Sequence, residues 1–564
     1  MVRSISWIPL REISEPATPN SAQVPYQPVR QGSESPPNMA SQRKNLDEDG
    51  PVETDPILDG LTLFEKKAHI VNRELDSMGM GRYQWMIFAL CGFGYMLDLL
   101  WAQAFGLVVR PLQQELGFSK GEVGNISSAF AAGLTAGAFV WGVLVDIIGR
   151  QWAFNFTVLF ASIFGLCLGA PSSYDAILVL TAFVGFGVGG NIPIDTTITL
   201  EFLPQNRRFL LPLLSIFQPI GVVLCCALAY AFIPRYSCAP DLESCRNVVA
   251  GEPCCTKADN YGWRYLLFTL GAITMVVFFL RFVVFRFQES PKFLLYRGKD
   301  EKAVEVMQHI AQYNRTTSPI TLETFAALSG DDSSTGTPSS SKAMLGAGAQ
   351  QLNTTLGEKV KIEMERYKLL FKNATVARLT ILIWIIYIFD YWGFSIAGGL
   401  LPYILAEKSS EAGLTTESTY RSYIYIYLFG LPGVVLGTTL YRGRQAAMLG
   451  SSALFAATLF IFTVVDTQAK YIGVNGLVYF FQSMFNAVLY GWTPEAYPAP
   501  IRGTAAGVAS FWGRIASIVG PIAGEKLLAS SSYNAPLYLA GAGVFICTIC
   551  IAFLPRKYLG AESF

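Results

Sequence analysis

Apolar residues in this chain fall in long unbroken runs, at roughly 83–108, 123–145, 152–170, 175–200, 210–233 and 263–286, and again at 374–400, 420–440, 446–465, 470–492, 503–525 and 535–554. Each run is about 19–27 residues long, and a helix needs about 20 to cross the hydrocarbon core of a bilayer. The pattern predicts an all-α membrane protein with twelve transmembrane helices, arranged as two six-helix bundles with pseudo-two-fold symmetry. Polar stretches set the boundaries: 1–82 before the first run, an N-terminal bundle over 83–286, a linker over 287–372, a C-terminal bundle over 373–555 and a tail over 556–564. Residues 1–82 are rich in Pro, Ser, Glu, Asp and Gln and are expected to be disordered, apart from an amphipathic piece near Leu61–Leu75. Their start has no continuous apolar core of the kind a cleavable signal peptide carries. Within the linker, 298–314 shows helical apolar spacing, whereas 329–350 is too polar to fold.

Composition agrees with lipid as the solvent. The chain is 52% hydrophobic and 15% charged, against about 25% charged in soluble domains. A net charge of +1 removes nucleic acid as a bulk electrostatic partner. The two histidines, His69 and His309, leave no basis for a His-built metal centre. Neither a P-loop nor a nucleophile constellation is present, so an ATP-driven pump and an enzyme are both disfavoured, and no cofactor is expected. Basic residues set the orientation. Arg82, Arg150, Arg207, Arg208, Arg442, Arg444, Arg502 and Arg556 flank the helix ends on one side, which places both termini and the linker in the cytosol.

The two halves repeat one another. Asp98 and Asp390 each sit mid-helix, 292 residues apart. Gly142, Gly149 and Arg150 recur as Gly437, Gly443 and Arg444 at offsets of 295 and 294, and "EFLP" at 201–204 recurs as "EAYP" at 495–498. "SIFQPIG" (215–221) recurs as "SIVGPIAG" (517–524) at an offset of 302. Halves related in this way place a substrate site at their interface, near the middle of the membrane.

"GVLVDIIGRQ" (142–151) resembles the signature between helices 2 and 3 of the major facilitator superfamily, and the helix pattern carries that resemblance across nearly all of 83–555. "GFGVGGNIPIDTTITLEFLPQNRR" (185–208), "GWRY" (262–265), "QESPKFLL" (288–295) and "GWTPEAYPAPIRGTAAG" (491–507) resemble the synaptic-vesicle-protein-like branch, which is related to the sugar porters and has fungal members. The resemblance implies secondary transport by alternating access and stops short of a hexose site. Thr181 stands where sugar porters carry a helix-4 Arg, and helix 7 reads "FDYWGFSIAGG" without paired glutamines.

Two cytosolic charge networks are expected from Gly142, Asp146, Gly149, Arg150, Glu201, Arg207, Arg208 and Glu289 in one half and Arg444, Glu495 and Arg502 in the other. Charges inside the membrane are costly, about 2.5–3.5 kcal/mol each on insertion scales, and so mark function. Asp98, Asp195 and Asp390 are the candidates for proton coupling, since no transmembrane helix holds a histidine. Arg514, which has no twin, is either the structural partner of one of these acids or the seat of an anionic substrate. Asn191, Gln218, Tyr387, Tyr391, Trp392, Asn486, Tyr490 and Trp512 are candidates for the pocket wall. Arg281, near the inner end of helix 6, is expected to snorkel to the interface. Cys238, Cys245, Cys254 and Cys255 share one outer loop and can form two disulfides in any of three connectivities; the other six cysteines lie in helices.

The leading expectation is a monomeric, proton-coupled symporter of a small polar organic solute, an organic acid or sugar-like, in the plasma membrane; a vacuolar or vesicular membrane is the alternative. Efflux by proton exchange and a non-transporting membrane sensor are the competing readings.

Overall fold

The computed structural model describes residues 63–207, 210–249, 252–284, 288–331, 367–411, 415–465, 467–497, 502–530 and 533–555, all within the unit Gly60–Phe564. The expected disordered stretches at 1–62 and 332–350 lie outside the described residues. Among those residues the chain is helical, which lipid demands: each backbone N–H and C=O must find its partner within the segment. Eleven helices among the described residues are long and apolar enough to cross a membrane.

The N-terminal half runs α1 (Leu63–Met78), α2 (Arg82–Leu116), α3 (Asn125–Ile148), α4 (Arg150–Cys167), α5 (Tyr174–Val188), α6 (Asn191–Phe202), the single turn α7 (Leu210–Leu213), α8 (Phe217–Phe232) and α9 (Gly262–Phe279). The described part of the linker holds α10 (Pro291–Tyr296), α11 (Asp300–Asn314) and α12 (Leu322–Asp331). The C-terminal half runs α13 (Ala374–Glu411), α14 (Thr416–Leu428), α15 (Gly430–Thr439), α16 (Arg444–Phe462), α17 (Gln468–Glu495), α18 (Arg502–Ser530) and α19 (Ala535–Ala552). Outward faces keep large apolar side chains exposed, Phe139, Val276 and Phe545 among them, as lipid-facing surface requires.

Several helices differ from their apolar runs for identifiable reasons. The 175–200 run divides at Gly189–Gly190, where the backbone comes so close to Leu134 and Trp141 that a Cβ would collide with them. The 210–233 run breaks into pieces around Pro212 and Pro219. In contrast, α2 and α13 continue well past their apolar stretches, to Leu116 and Glu411.

The polar ends of the molecule are built differently. At the linker end, α1 lies on α10, α11 and α12, its Ile70, Val71 and Leu75 sharing one apolar cluster with Met307 and Ile310. A Lys67–Asp300 ion pair of 2.5 Å fastens it. The amphipathic piece expected near Leu61–Leu75 is therefore a docked helix, because its apolar stripe finds a partner. Glu289 accepts the backbone N–H groups of Arg150 (3.1 Å) and Gln151 (3.3 Å), capping the start of α4. Burial pushes its carboxyl above the ordinary glutamate range, against these hydrogen bonds. Gly149, at the α3–α4 turn, has φ +100°, a conformation that favours glycine.

At the opposite end, the loop between α8 and α9 is stapled by disulfides Cys238–Cys255 and Cys245–Cys254. It covers the last two turns of α2, whose final carbonyls have no partner within the helix. Ser244 Oγ donates to Glu115 O (2.9 Å), Asn260 Nδ2 to Pro111 O (2.7 Å) and Arg246 Nη1 to Leu116 O (3.3 Å). "GWRY" serves the same junction: Trp263 Nε1 and Arg264 both bind the Glu115 carboxylate, at 3.0 and 2.7 Å. The four loop cysteines of the purified protein should therefore resist maleimide until a reductant is added, and then label. Mass spectrometry of the labelled loop checks this; labelling of all four without reductant would contradict the pairing.

Candidate functional site

A cavity of about 130 Å³ lies between the two halves. Asp98 of α2, Gln218 of α8, Tyr391 of α13, Asn486 and Tyr490 of α17 and Arg514 of α18 all line it. Its volume is close to that of an engineered cavity of about 150 Å³ that holds benzene, so in this conformation it suits a solute of one ring.

The polar groups on this wall are unevenly matched. Arg514 is 7% exposed and reaches across to the other half, where Nη1 donates to the Leu134 carbonyl (3.1 Å). Its Nε has no partner, nor do the side-chain nitrogens of Gln103 and Gln482, which line the same cavity. No carboxylate among the described residues lies within ion-pair distance of Arg514. The wall therefore presents spare donors beside one acid, Asp98. Buried donors without acceptors are costly, about 1–3 kcal/mol each, and an acceptor-rich solute would relieve that cost.

Other residues singled out in the sequence lie elsewhere. Asp390, the twin of Asp98, is 1% exposed and does not line the cavity. Neutral donors hold it: Tyr490 Oη at 3.5 Å, and Asn486 Nδ2 at 3.1 and 3.3 Å in the amide orientation that satisfies both groups. Tyr387 donates to Thr493 Oγ1 (3.1 Å) inside the C-terminal half. Trp392 packs against Gly543 of α19, Trp512 is 38% exposed beside Trp384, and Asn191 is buried outside the cavity lining.

Asp195 pairs with Arg281 at 3.5 Å, both side chains fully buried. This corrects the expectation that Arg281 snorkels. Its Nη2 also donates to Leu90 O (2.9 Å), and its guanidinium lies 3.8 Å from the centre of the Phe154 ring. Arg281 sits in a π-helical turn, Leu280–Val284, and the extra residue of such a turn re-aims the side chains it carries. The pair comes so close to α2 that a Cβ at Gly94 would strike the Asp195 carboxylate. Asp195 is thus bound to an arginine inside the N-terminal half, away from the cavity.

The charge networks at the linker end stay within their own halves. Arg150 meets Glu201 at 3.4 Å, with the Phe293 ring 4.1 Å away, and Arg444 meets Glu495 at 2.7 Å. Arg207 is exposed; Arg208 and the side chains of Asp146 and Arg502 lie outside the described residues. Gly142 and Gly443 have open space around them, so Gly149 alone of these motif glycines has a conformational need for glycine. Among the described residues no ion pair crosses between the halves at this end. The disulfide end is joined across by several contacts: Arg110–Glu407 at 2.6 Å, Ser128 Oγ to Ile518 O at 2.9 Å, Tyr403 Oη to Gln113 Oε1 at 3.1 Å and Tyr420 Oη to Leu107 O at 2.8 Å. The Leu107 carbonyl is available because Pro111, four residues on, has no N–H to offer it. The disulfide end is the closed one.

The family model for the Major Facilitator Superfamily matches residues 85–330 and 383–563. The chain belongs to the major facilitator superfamily. It is 34% identical over 511 residues to "MFS siderochrome iron transporter 1" of Ceriporiopsis subvermispora, covering 89% of this chain and 92% of the relative. At 23% identity it is similar to the synaptic vesicle 2-related protein of Xenopus laevis (91% of this chain, 87% of the relative) and to the niacin transporter of Acinetobacter baylyi (79% and 88%). Among solved structures, the partially occluded inward-open form of the xylose transporter from E. coli superposes with a TM-score of 0.58 at 14% identity, over 84% of this chain and 98% of that one. That likeness shows the fold. The chain is thus a multi-pass integral membrane protein of a transporter family, whose members are not enzymes.

Proposed function

We propose that this chain is a proton-coupled symporter of a small organic anion, working by alternating access between two six-helix bundles. Twelve crossings follow when Arg150–Cys167 is counted as the third; its polar first turn lowers its hydropathy, yet it packs against α5 and α9 as a membrane helix does. In this reading the linker end and both termini face the cytosol, the disulfide end faces outward, the carrier works as a monomer, and the plasma membrane is its location.

One observation carries the choice of substrate: the unpartnered donors of Arg514, Gln103 and Gln482 face the same cavity as Asp98. A carboxylate on Arg514 would gain charge-assisted hydrogen bonds, the strong kind. A proton on Asp98 would remove the second negative charge from that space, so anion and proton load together. The cavity's size supports a compact cargo, and the niacin carried by one relative is a carboxylate of that size. A sugar-like solute is the second reading, favoured by the amides of Asn475, Gln482 and Asn486 on α17, which suit hydroxyl groups.

The test is an uptake panel in cells lacking their own carriers, comparing radiolabelled nicotinate and other small carboxylates with xylose and glucose at external pH 5 and 7. Carboxylate uptake above empty-vector cells, greater at pH 5, is expected. Sugar uptake alone would favour the second reading.

A further inference from the structure

The first turn of α3 has an unusual cap. Its N-cap is Gly124, which supplies no side chain, and the acceptor comes from the other half of the molecule. Glu525 of α18 takes the Gly124 N–H at 2.6 Å, with the Asn125 N–H beside it, and is 2% exposed. A Cβ at Gly124 would strike the Pro521 carbonyl and the Glu525 carboxylate, so glycine is what lets α18 come this close. The start of a helix carries partial positive charge, and a carboxylate there is held both by hydrogen bonds and by the dipole. This contact lies at the closed, disulfide end, next to the Ser128–Ile518 bond on the same pair of helices. The repeat gives it no counterpart: offset 302 from Glu525 falls on Val223.

We infer that Glu525 is a proton-sensitive latch, whose carboxylate holds the disulfide end shut by capping α3 from the opposite half and whose protonation releases it. An ionised carboxylate accepts both N–H groups; a neutral carboxyl loses the charge assistance and the attraction to the helix start. Transport needs this contact to break, because α3 and α18 must separate before the cavity can open at this end. Glu525 is therefore a positioning residue of the gate and touches no substrate. With the disulfide end outside, an assignment that rests on the proposed function, acid outside would favour opening toward the side from which protons and substrate arrive.

Other charged and titratable groups surround the latch. Lys526 follows it on α18; Lys120 and Glu122 precede α3, Lys120 bonded to Tyr533 (2.8 Å) and Glu122 to Ser119 (2.9 Å). Tyr174 of α5 donates to the Glu122 carbonyl (2.6 Å). On α13, Glu407 is paired with Arg110, and Lys408 is bonded to Asn534 (3.0 Å). Each of these except Lys526 has a partner outside the Glu525 cap, so comparison of wild type with the Glu525 variant reads the latch.

The test is a spin-label distance measurement on the full chain in nanodiscs. Labels go on Ala258→Cys and Val464→Cys, exposed positions at the disulfide end of the two halves, with Cys167 and Cys550 replaced by serine. Glu525→Gln should raise the ratio of long to short distances about tenfold at pH 7.5, the difference between a charge-assisted and a neutral hydrogen bond. Lowering the pH to 5 should move wild type the same way, leave Glu525→Gln unchanged and still act on Glu525→Asp. Equal distributions in wild type and Glu525→Gln, or an acid response of the same size in both, would overturn the latch. If Glu525→Gln does not fold, an unchanged wild-type distribution between pH 7.5 and 5 overturns it alone. No substrate or gradient is used, so a wrong substrate assignment cannot mimic either result.

Discussion

Asp98→Asn is expected to abolish accumulation of substrate against its gradient while leaving exchange of labelled for unlabelled substrate in place. Asp98 is the carboxylate that lines the cavity from α2, in the N-terminal half, facing Arg514 from the C-terminal half. A symporter must forbid the return of the carrier with only one of its two passengers loaded. Beside the positive Arg514, an ionised Asp98 in the empty carrier and a neutral Asp98 with a bound anion both leave the cavity without net charge. Either passenger alone leaves a net charge, which is costly to carry through a closed, desolvated state. Asparagine is neutral in every state, so the rule disappears while the cavity keeps its shape. Exchange, which never needs the empty carrier to return, survives. The paired measurement is uphill uptake and counterflow in the same proteoliposomes; pH-dependent accumulation by Asp98→Asn would remove Asp98 from the coupling role.

Arg514→Gln should weaken carboxylate binding about 10- to 150-fold. Loss of one hydrogen bond to a charged group is worth about 1.5–3 kcal/mol. Were Arg514 a structural partner of Asp98 or Asp390, the main effect would be on folding. The geometry speaks against that role: Asp390 is held by Tyr490 and Asn486, and the protein contact of Arg514 is the Leu134 carbonyl. Surface abundance should therefore stay within twofold of wild type while the apparent Kd rises. Lost abundance, recovered in the Arg514→Gln and Asp390→Asn double variant, would restore the structural reading. Unchanged abundance and unchanged affinity would leave Arg514 with neither role.

The apolar runs located the membrane helices because in lipid hydropathy and depth are one variable. The repeat reaches further than the motifs that first showed it. Gly106 and Gly398, again 292 apart, bring α2 and α13 together at the closed end, and Pro111 and Pro402 follow at an offset of 291. What the runs could not convey was direction around a helix. Asp98 and Asp390 are twins in sequence, yet one faces the cavity and the other a tyrosine and an amide. Trp512 and Tyr391 are aromatic residues on cavity-forming helices, and only the second lines the cavity. Arg281 looked interfacial because it lies near the end of its run, and a π-helical turn sends it inward to Asp195.

The gate residues at the disulfide end were missed for another reason. Arg110 and Glu407 lie where α2 and α13 continue beyond their apolar stretches, so they read as loop charges. Glu525 sits at the last position of its run, where a carboxylate looks like ordinary interfacial charge; its acceptor role depends on an N-terminus 401 residues away in sequence. The signal available was Gly124, a glycine just before a helix with no capping side chain of its own.

Proton movement coupled to substrate tests the central claim most directly. Proteoliposomes in weakly buffered medium, with a pH-sensitive dye inside, should acidify internally when nicotinate or another transported carboxylate is added outside, beyond what protein-free liposomes show, and Asp98→Asn should return the signal to the protein-free level. Uptake of the labelled carboxylate with no internal acidification above that background would contradict proton-coupled symport.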